Sequence, residues 1–179
     1  IFVVPDAWND STTTLVNAKS WMINYKQHLP EEVNLMAVCQ GKDMTELLTT
    51  YQTLVDLGYT HFAFNHSSIV YQELGGSENT LANQSVGRVL LIQYLLTQNV
   101  IKDHHYIHLL GASTPQEFTY YRDAQPNLVN SVDTSNPIIV GYKGERYTDS
   151  GINFKPTEKI EDLFDKDLED KMEDIIFNV

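Results

Sequence analysis

The stretch 127–134, NLVNSVDT, decides the fold that this sequence predicts, because it places an aspartate, Asp133, directly after a short segment with the character of a buried strand. Other apolar segments end in the same way, in a polar or turn-forming residue. They are 3–6 (VVPD), 36–40 (MAVCQ), 62–66 (FAFNH) and 107–111 (IHLLG). In a parallel β/α barrel the loops that follow the strands form the functional site, so we expect these residues to converge although they are far apart in sequence.

Helical segments separate the predicted strands. The strands are expected at 2–4, 33–39, 60–64, 105–110 and 127–132, and the helices at 11–28, 44–57, 80–98 and from Pro115 onward. Capping residues precede the helices, and Gly58 stands where a left-handed helix cap is needed. Strands that alternate with helices pair in parallel through right-handed crossovers, so the predicted fold class is α/β.

The number of strands favours a TIM-type (β/α) barrel, or the C-terminal five β/α units of one. The competing topology is an open doubly wound sheet, but no glycine fingerprint follows the first strand. Five units are too few to close an eight-stranded barrel. Because the chain also begins within an apolar strand, we expect residues 1–179 to be a single β/α-barrel domain and a portion of a longer protein.

The regular alternation stops after Asp133. We expect a short extra strand at 138–140, a loop at 142–156 and an amphipathic acidic helix at about 158–178 that packs on the barrel wall. Residues 158–174 hold nine acidic side chains and three lysines, a net charge of −6. A polar loop is expected at 65–79, and a loop of that length in a compact domain is more often functional than idle.

Composition and charge limit the class of protein. The chain is 42% hydrophobic and 20% charged, which is ordinary for a globular domain. A single cysteine, Cys39, excludes an internal disulfide and favours a reducing, cytoplasmic location. No apolar run approaches the length of a membrane span, so no membrane contact is expected. The net charge of −12 argues against nonspecific binding of nucleic acid.

Four motifs occur in an order that resembles the tRNA-guanine transglycosylase superfamily, and more closely its branch that inserts 7-deazaguanines into bacterial and phage DNA. They are 4–6 (VPD), 37–41 (AVCQG), 108–111 (HLLG) and 131–137 (SVDTSNP). The resemblance implies a glycosyltransferase of the pentosyltransferase class that exchanges guanine in DNA for a 7-deazaguanine. It implies no metal and no other cofactor, DNA and a 7-deazaguanine base as partners, and leaves a homo-oligomer open.

The resemblance also implies roles for three residues. Asp133 matches the nucleophile, which attacks C1′ of a guanosine nucleotide and forms a covalent glycosyl-enzyme that the incoming base then captures. A carboxylate suits an oxocarbenium-like centre, as in retaining glycosidases. Asp6 and Gln40 match the residues that read the guanine edge, since a carboxylate accepts from two N–H groups and an amide donates to O6.

Other candidate residues also follow the ends of predicted strands, and at these positions the sequence departs from the family. Asn65 and His66 stand where the family has a glycine pair, so the floor of the base pocket must differ, and Gly111 follows the next strand. His66 could contact the base or a phosphate, and it could move protons. The zinc-binding cysteine cluster of the tRNA enzymes is absent, which makes tRNA a less favoured partner than DNA. The family's second aspartate, its general base, has no counterpart in this chain.

Each residue with an implied role also has a purely structural interpretation. Asp133 could cap its own turn, Asp6 could lead into the cap of the first helix, and Gln40 could be a loop residue. Two alternatives to base exchange therefore stay open. One is a metal-free nucleoside or glycoside hydrolase on the same fold, and the other is a non-catalytic barrel fragment that binds a base or a partner.

Histidines and arginines are the remaining candidates. A metal site at His104, His105 and His108 is disfavoured, because the first two are expected in a polar turn and His108 in the core as a hydrogen-bonded side chain. Arg88 could contact a phosphate, although solvation at the surface is the preferred interpretation. Arg122, Lys143 and Arg146 are the other cations near the expected substrate side.

Overall fold

The computed structural model describes residues 1–66, 68–76, 78–112, 114–125, 127–148, 151–152 and 156–179. Five parallel strands form one sheet in the order β1-β2-β3-β4-β5 and curve into a half-barrel. They are β1 (Phe2–Val3), β2 (Leu35–Val38), β3 (His61–Asn65), β4 (Tyr106–Leu110) and β5 (Ser131–Asp133). Each strand pairs with the next along the chain without a reversal of order, which confirms the α/β class and a partial β/α barrel.

Helices connect the strands and continue beyond the last one. They are α1 (Ser11–Ser20), α2 (Met44–Asp56), α3 (Ile69–Gly75), α4 (Thr80–Thr97), α5 (Gln116–Ala124), α6 (Asn136–Tyr142) and α7 (Met172–Asn178). Asp10 and Asp43 cap α1 and α2 by accepting backbone N–H groups at 3.0 and 2.8 Å. Gly58 follows α2 with φ +89°, the left-handed conformation expected of it. Within the described ranges, no helix combines the length and the apolar character needed to cross a membrane.

The two faces of the sheet have different surroundings. One face packs against the helices and forms the main core with strand residues Leu35, Ala37, Phe62, Phe64, Ile107 and Leu109. The other face holds a small cluster of Met36, Val38 and Ala63, against which Tyr106 and Leu110 pack. This second cluster contains strand residues alone among those described. Helices therefore cover one face of the sheet, as in a barrel, and the second face is the inner one.

Two segments expected to be irregular or extended are helical. The loop expected at 65–79 contains α3, which packs closely against α4. A Cβ placed on Gly87 of α4 would lie 2.3 Å from the Tyr71 carbonyl oxygen of α3, so glycine is required at this contact. The strand expected at 138–140 is wrong, because these residues lie in α6, which packs on α7. Both helices are stabilised by tertiary contacts that a local pattern does not reveal.

The acidic C-terminal segment is not one helix over about 158–178. It forms 3₁₀ turns at Ile160–Leu163 and Glu169–Lys171, followed by α7. Leu163 and Ile175 are buried, whereas Phe164 and Ile176 are 73% and 66% exposed, so the expected apolar stripe is only partly used. Closely spaced like charges disfavour a long helix here. The loop expected at 142–156 lies partly outside the described residues, and its described part includes a bridge between Thr148 and Gly151.

Candidate active site

Polar side chains of the inner face gather at the edge of the sheet where the strands end, called here the C-terminal rim. Asn65 of β3 lies in register with Leu110 of β4, and Leu110 with Asp133 of β5. One row below, Ala63, His108 and Ser131 are in register. Because side chains alternate between faces, residues two apart on a strand share the inner face. Asn65 and Asp133 are thus separated by two strand spacings, about 10 Å along the rim.

A hydrogen-bonded group joins β1, β2 and β3 at this rim, and we call Asp6, Asn9, Gln40 and Asn65 the amide cluster. Gln40 donates from Nε2 to Asp6 Oδ2 at 2.6 Å. Its Oε1 accepts the Asn9 backbone N–H at 3.0 Å and the Asn65 side-chain amide at 3.3 Å. Gln40 is buried while Asp6 is exposed, so the glutamine holds the carboxylate in place at the rim. Three residues predicted from sequence are thereby brought together.

Groups that can only donate or only accept a hydrogen bond fix the orientation of each amide in this cluster. The Asp6 carboxylate can only accept, so Gln40 must turn its NH₂ group toward it. The Asn9 backbone N–H can only donate, so it confirms that Gln40 presents its oxygen on the other side. Asn65 must then offer NH₂ to that oxygen. Its Oδ1, and that of Asn9, are buried without a hydrogen-bond partner among the described residues.

Asp133 ends β5 with its side chain open to solvent at 64% exposure. One carboxylate oxygen, Oδ1, accepts the backbone N–H of Gly111 at 2.8 Å and Nε2 of His108 at 3.1 Å. The second oxygen, Oδ2, accepts no hydrogen bond from the part of the chain that the structure describes. The carboxylate is therefore fixed through one oxygen and open through the other, which is a suitable arrangement for a nucleophile.

Gly111 and His66 complete the rim beside Asp133. Gly111 has φ +64°, and its backbone N–H faces Asp133. A Cβ at this position would lie 2.9 Å from Nδ1 of His66, so the close approach of the imidazole requires glycine. His66 and Gly111, both predicted site residues, are thus neighbours, and Gly111 contacts Asp133.

Arg88 of α4 holds the ends of β3 and β4 in place from behind the rim. It is completely buried and forms a bidentate ion pair with Glu117 of α5, at 2.7 and 2.8 Å. Its remaining N–H groups donate to the carbonyl oxygens of Phe64, Leu110 and Gly111 at 2.9 to 3.1 Å. All five guanidinium donors are used. Burial opposes the charge, but the bonds to Glu117 outweigh it and leave the pKa of Arg88 raised.

The preferred interpretation of Arg88, a solvated surface side chain, is wrong, and the phosphate contact loses its basis because every donor is occupied. The other arginines are also paired with carboxylates: Arg122 with Asp123, and Arg146 with Glu173 and Asp174. Lys143 pairs with Glu158. The cations considered for a substrate contact are therefore engaged with acidic side chains of the chain itself.

The structure reverses the environments that the sequence predicts for His105 and His108. His105, expected in a polar turn, is buried, and its Nδ1 lies 2.7 Å from the Tyr51 hydroxyl oxygen. Burial is the main cause that lowers its pKa to about 4. His108, expected in the core, lies on the inner face beside Asp133. Within the described ranges, no group of three or more metal-ligating side chains could hold a metal ion.

Sequence reasoning overlooked His108, Ser131 and Asn9 as site residues. A signal existed for the first two, because His108 alternates with the buried Ile107 and Leu109, and Ser131 precedes Asp133 by two positions. Both therefore lie on the face opposite the main core. For Asn9 the sequence carries no comparable signal, since its role follows from a left-handed backbone, φ +53°, next to Gln40.

The chain matches no protein-family model and no curated protein. The likeness to the transglycosylase superfamily therefore depends on the four motifs alone.

Proposed function

We propose that this protein is a base-exchange transglycosylase that replaces guanine in DNA with a 7-deazaguanine, with Asp133 as nucleophile. The observation that supports it is the presence, on one rim, of an open carboxylate and a cluster rich in hydrogen-bond acceptors. Asp133 would react with the sugar, and the amide cluster would hold the base. The separation of about 10 Å between Asn65 and Asp133 leaves room for a nucleoside between them.

The acceptors of the amide cluster favour a ligand edge that carries N–H groups. Asp6 offers a carboxylate at the rim, and Asn65 offers a carbonyl oxygen that has no donor of its own among the described residues. A buried acceptor without a donor costs about 1–3 kcal/mol, which a ligand N–H would recover. Guanine presents N1–H and an exocyclic amine together, so it suits this edge.

Gln40 has a different part in this proposal from the one that the motif implies. Both ends of its amide are engaged within the protein, and the residue is 2% exposed. We therefore assign it the positioning of Asp6 and Asn65, which themselves contact the base.

The exposures of Asp133 and Ser131 argue against a serine nucleophile. Ser131, His108 and Asp133 form a hydrogen-bonded series, but the carboxylate lies at the open rim and the hydroxyl lies one row deeper. In a serine hydrolase the order is reversed, with a buried carboxylate and an accessible serine. The reacting group favoured by this arrangement is the carboxylate.

The reaction balances without a metal. Asp133 Oδ2 attacks C1′ of the target nucleotide, the C1′–N9 bond breaks, and its electron pair leaves with the guanine, which takes up a proton. The incoming 7-deazaguanine then loses its N9 proton and attacks C1′, which breaks the ester and restores the carboxylate. His66, beside Gly111 at the same rim, is our candidate for moving these protons.

The direct test is to trap the covalent intermediate. The protein is incubated with a guanine-containing DNA oligonucleotide, denatured, digested and analysed by mass spectrometry for a glycosyl adduct on Asp133. We expect the adduct in the wild type and its loss in Asp133→Asn. The matched control is Asp103→Asn, an exposed carboxylate at the opposite edge of the sheet, which should leave the adduct unchanged.

Different outcomes separate the alternatives. Incorporation of labelled 7-deazaguanine supports base exchange, whereas release of guanine without incorporation would indicate a hydrolase. Exchange that persists in Asp133→Asn would overturn the role of Asp133. Tight binding of 7-deazaguanine with no adduct would indicate a binding protein.

A further inference from the structure

We infer that His108 is a positioning residue that determines which oxygen of Asp133 reacts. This inference deepens the proposed function and depends on it for its catalytic meaning. The geometry behind it, a ring that bridges two residues of the neighbouring strand, can be tested separately.

The parallel register between β4 and β5 creates this bridge. His108 lies directly opposite Ser131, and Asp133 follows two residues later on the same face. The imidazole spans both: Nδ1 lies 2.6 Å from Ser131 Oγ, and Nε2 lies 3.1 Å from Asp133 Oδ1. The His108 side chain is 14% exposed, so neighbouring atoms restrict its rotation.

The partners of the ring define its tautomer. A carboxylate only accepts, so the hydrogen of a neutral imidazole must be on Nε2, facing Asp133. Nδ1 is then an acceptor, and the Ser131 hydroxyl donates to it. The carboxylate therefore fixes the tautomer of His108, Ser131 supports it by donating to Nδ1, and His108 in turn orients the carboxylate, as orienting groups do for metal-bound or catalytic histidines.

The consequence is a difference between the two oxygens of Asp133. Oδ1 accepts from both His108 and the Gly111 backbone, so its lone pairs are directed at protein donors. Oδ2 accepts from neither and belongs to a side chain that is 64% exposed. Two donors on one oxygen prevent rotation of the carboxylate about its Cβ–Cγ bond. Oδ2 is thus kept for attack on C1′, and a poorly aligned nucleophile would cost about 10- to 100-fold in rate.

Two substitutions separate the two ring nitrogens. The side-chain nitrogen of Gln in His108→Gln reaches the place of Nε2 and keeps a donor for Asp133. The shorter amide of His108→Asn reaches the place of Nδ1, keeps the contact with Ser131 and loses Asp133. We expect His108→Asn to lower the single-turnover rate of adduct formation about 10- to 100-fold with little change in KM, and His108→Gln to stay within a few-fold of wild type.

Spectroscopy tests the geometry without any substrate. In ¹⁵N NMR spectra of the wild-type protein above neutral pH, the His108 ring should be the Nε2–H tautomer. Asp133→Asn and Ser131→Ala should each weaken that preference. A ring that is the Nδ1–H tautomer, or that responds to neither substitution, would overturn the inference.

The two experiments fail in different ways. If the wild type forms no adduct on Asp133, the proposed function fails, and the NMR result alone decides whether His108 orients the carboxylate. If the adduct forms but both His108 variants react like wild type, or both lose equal activity at unchanged melting temperature, the positioning role is wrong. If either His108 variant does not fold, Ser131→Ala replaces it, and a rate equal to that of wild type would count against the inference.

Discussion

Side chains at the C-terminal rim differ in whether their hydrogen-bonding capacity is filled. Gln40 is engaged at both ends of its amide, whereas Asn65 donates to Gln40 and leaves its own oxygen buried without a partner among the described residues. A protein stabilised for folding alone would avoid such an acceptor, because it costs about 1–3 kcal/mol. An unsatisfied group of this kind calls for an explanation, and a ligand that supplies the missing donor is the one we test.

Asn65→Leu tests whether this acceptor serves binding. Leucine branches at Cγ as asparagine does and removes the unpaired oxygen, so we expect the free energy of unfolding to stay equal or rise by about 1 kcal/mol. We also expect weaker binding of guanine or 7-deazaguanine, by about 10-fold. Urea unfolding and calorimetric titration measure the two quantities. A loss of stability together with unchanged base binding would contradict our interpretation.

His105 gives the protein a dependence of stability on pH. Its Nδ1 accepts the Lys102 backbone N–H and lies 2.7 Å from the Tyr51 hydroxyl oxygen, so a proton on this nitrogen would face a fixed donor. Burial, and after it the charges of His104 and Lys102, lower the pKa of His105 from 6.5 to about 4. The unfolded chain therefore binds a proton below pH 6.5 that the folded protein does not bind until about pH 4.

The stabilisation from neutral His105 is complete above pH 6.5 and decreases as the pH falls toward 4. We expect a loss of about 1–2 kcal/mol between pH 7.5 and pH 4.5, below the full value of the shift because solvent screens part of the charge. In His105→Asn, whose Oδ1 keeps the acceptor without titrating, this part of the pH dependence should disappear. His28→Asn, at an exposed position that is not among the causes of the shift, should retain it, and equal slopes in all three proteins would be evidence against His105 as the cause.

Helix α4 positions the rim through Arg88. Its guanidinium connects α4 to the last residues of β3 and β4 and to Glu117 of α5, so one side chain determines the relative placement of four elements. Arg88 also donates to the carbonyl oxygen of Gly111, and the N–H of the same residue donates to Asp133. The nucleophile and the helix layer are thereby coupled through two hydrogen bonds.

Arg88→Met should destabilise the protein by about 3–5 kcal/mol, because it leaves the Glu117 carboxylate buried without its partner. Arg88→Lys should be intermediate, since an ammonium has three donors and cannot replace the planar bidentate contact. Thermal and urea unfolding measure the loss. The matched control is Arg122→Met, whose pair with Asp123 lies at the surface, and it should leave the stability nearly unchanged. Equal losses in Arg88→Met and Arg122→Met would show that Arg88 has no special role.

The charge distribution of the protein restricts how it can bind nucleic acid. The net charge is −12, and all three arginines are paired with carboxylates of the chain. The arginines are thus engaged within the chain, and lysines on a surface of net negative charge are the cations left for phosphate groups among the described residues. If DNA is the substrate, recognition must depend on the target base that leaves the stack and enters the rim, more than on the backbone.

Binding of this chain to DNA should therefore depend weakly on salt. Each phosphate neutralised by a cation contributes about 0.9 for duplex DNA, and about 0.7 for a single strand, to the slope of log K against log salt concentration. We expect a slope of magnitude below about 2 in fluorescence anisotropy titrations, and a clear preference for a single-stranded guanine over an abasic control. A steep slope without such a preference would indicate phosphate binding and contradict base-centred recognition.

The alternation of strands and helices, and the polar residue at the end of each strand, were sufficient to predict the α/β class, the parallel order and the rim positions of Asp133, Asn65 and Gln40. These features are local, because a strand and its final residue are read from neighbouring positions. The cap at Gly58 was predicted for the same reason. The side-chain roles were predicted less well, since they depend on what faces each residue from another element.

Tertiary structure alone decided the burial of Arg88 and His105, the helical state of α3 and α6, and the bridge from His108 to Ser131 and Asp133. An arginine in an amphipathic helix is buried only if carbonyl groups from distant strands and a carboxylate from another helix meet it. A histidine in a strand lies in the core or at the rim according to which face of the sheet the helices cover. The sequence pattern shows that side chains alternate between the two faces, but it does not show which face is covered. Only the assembled sheet decides that.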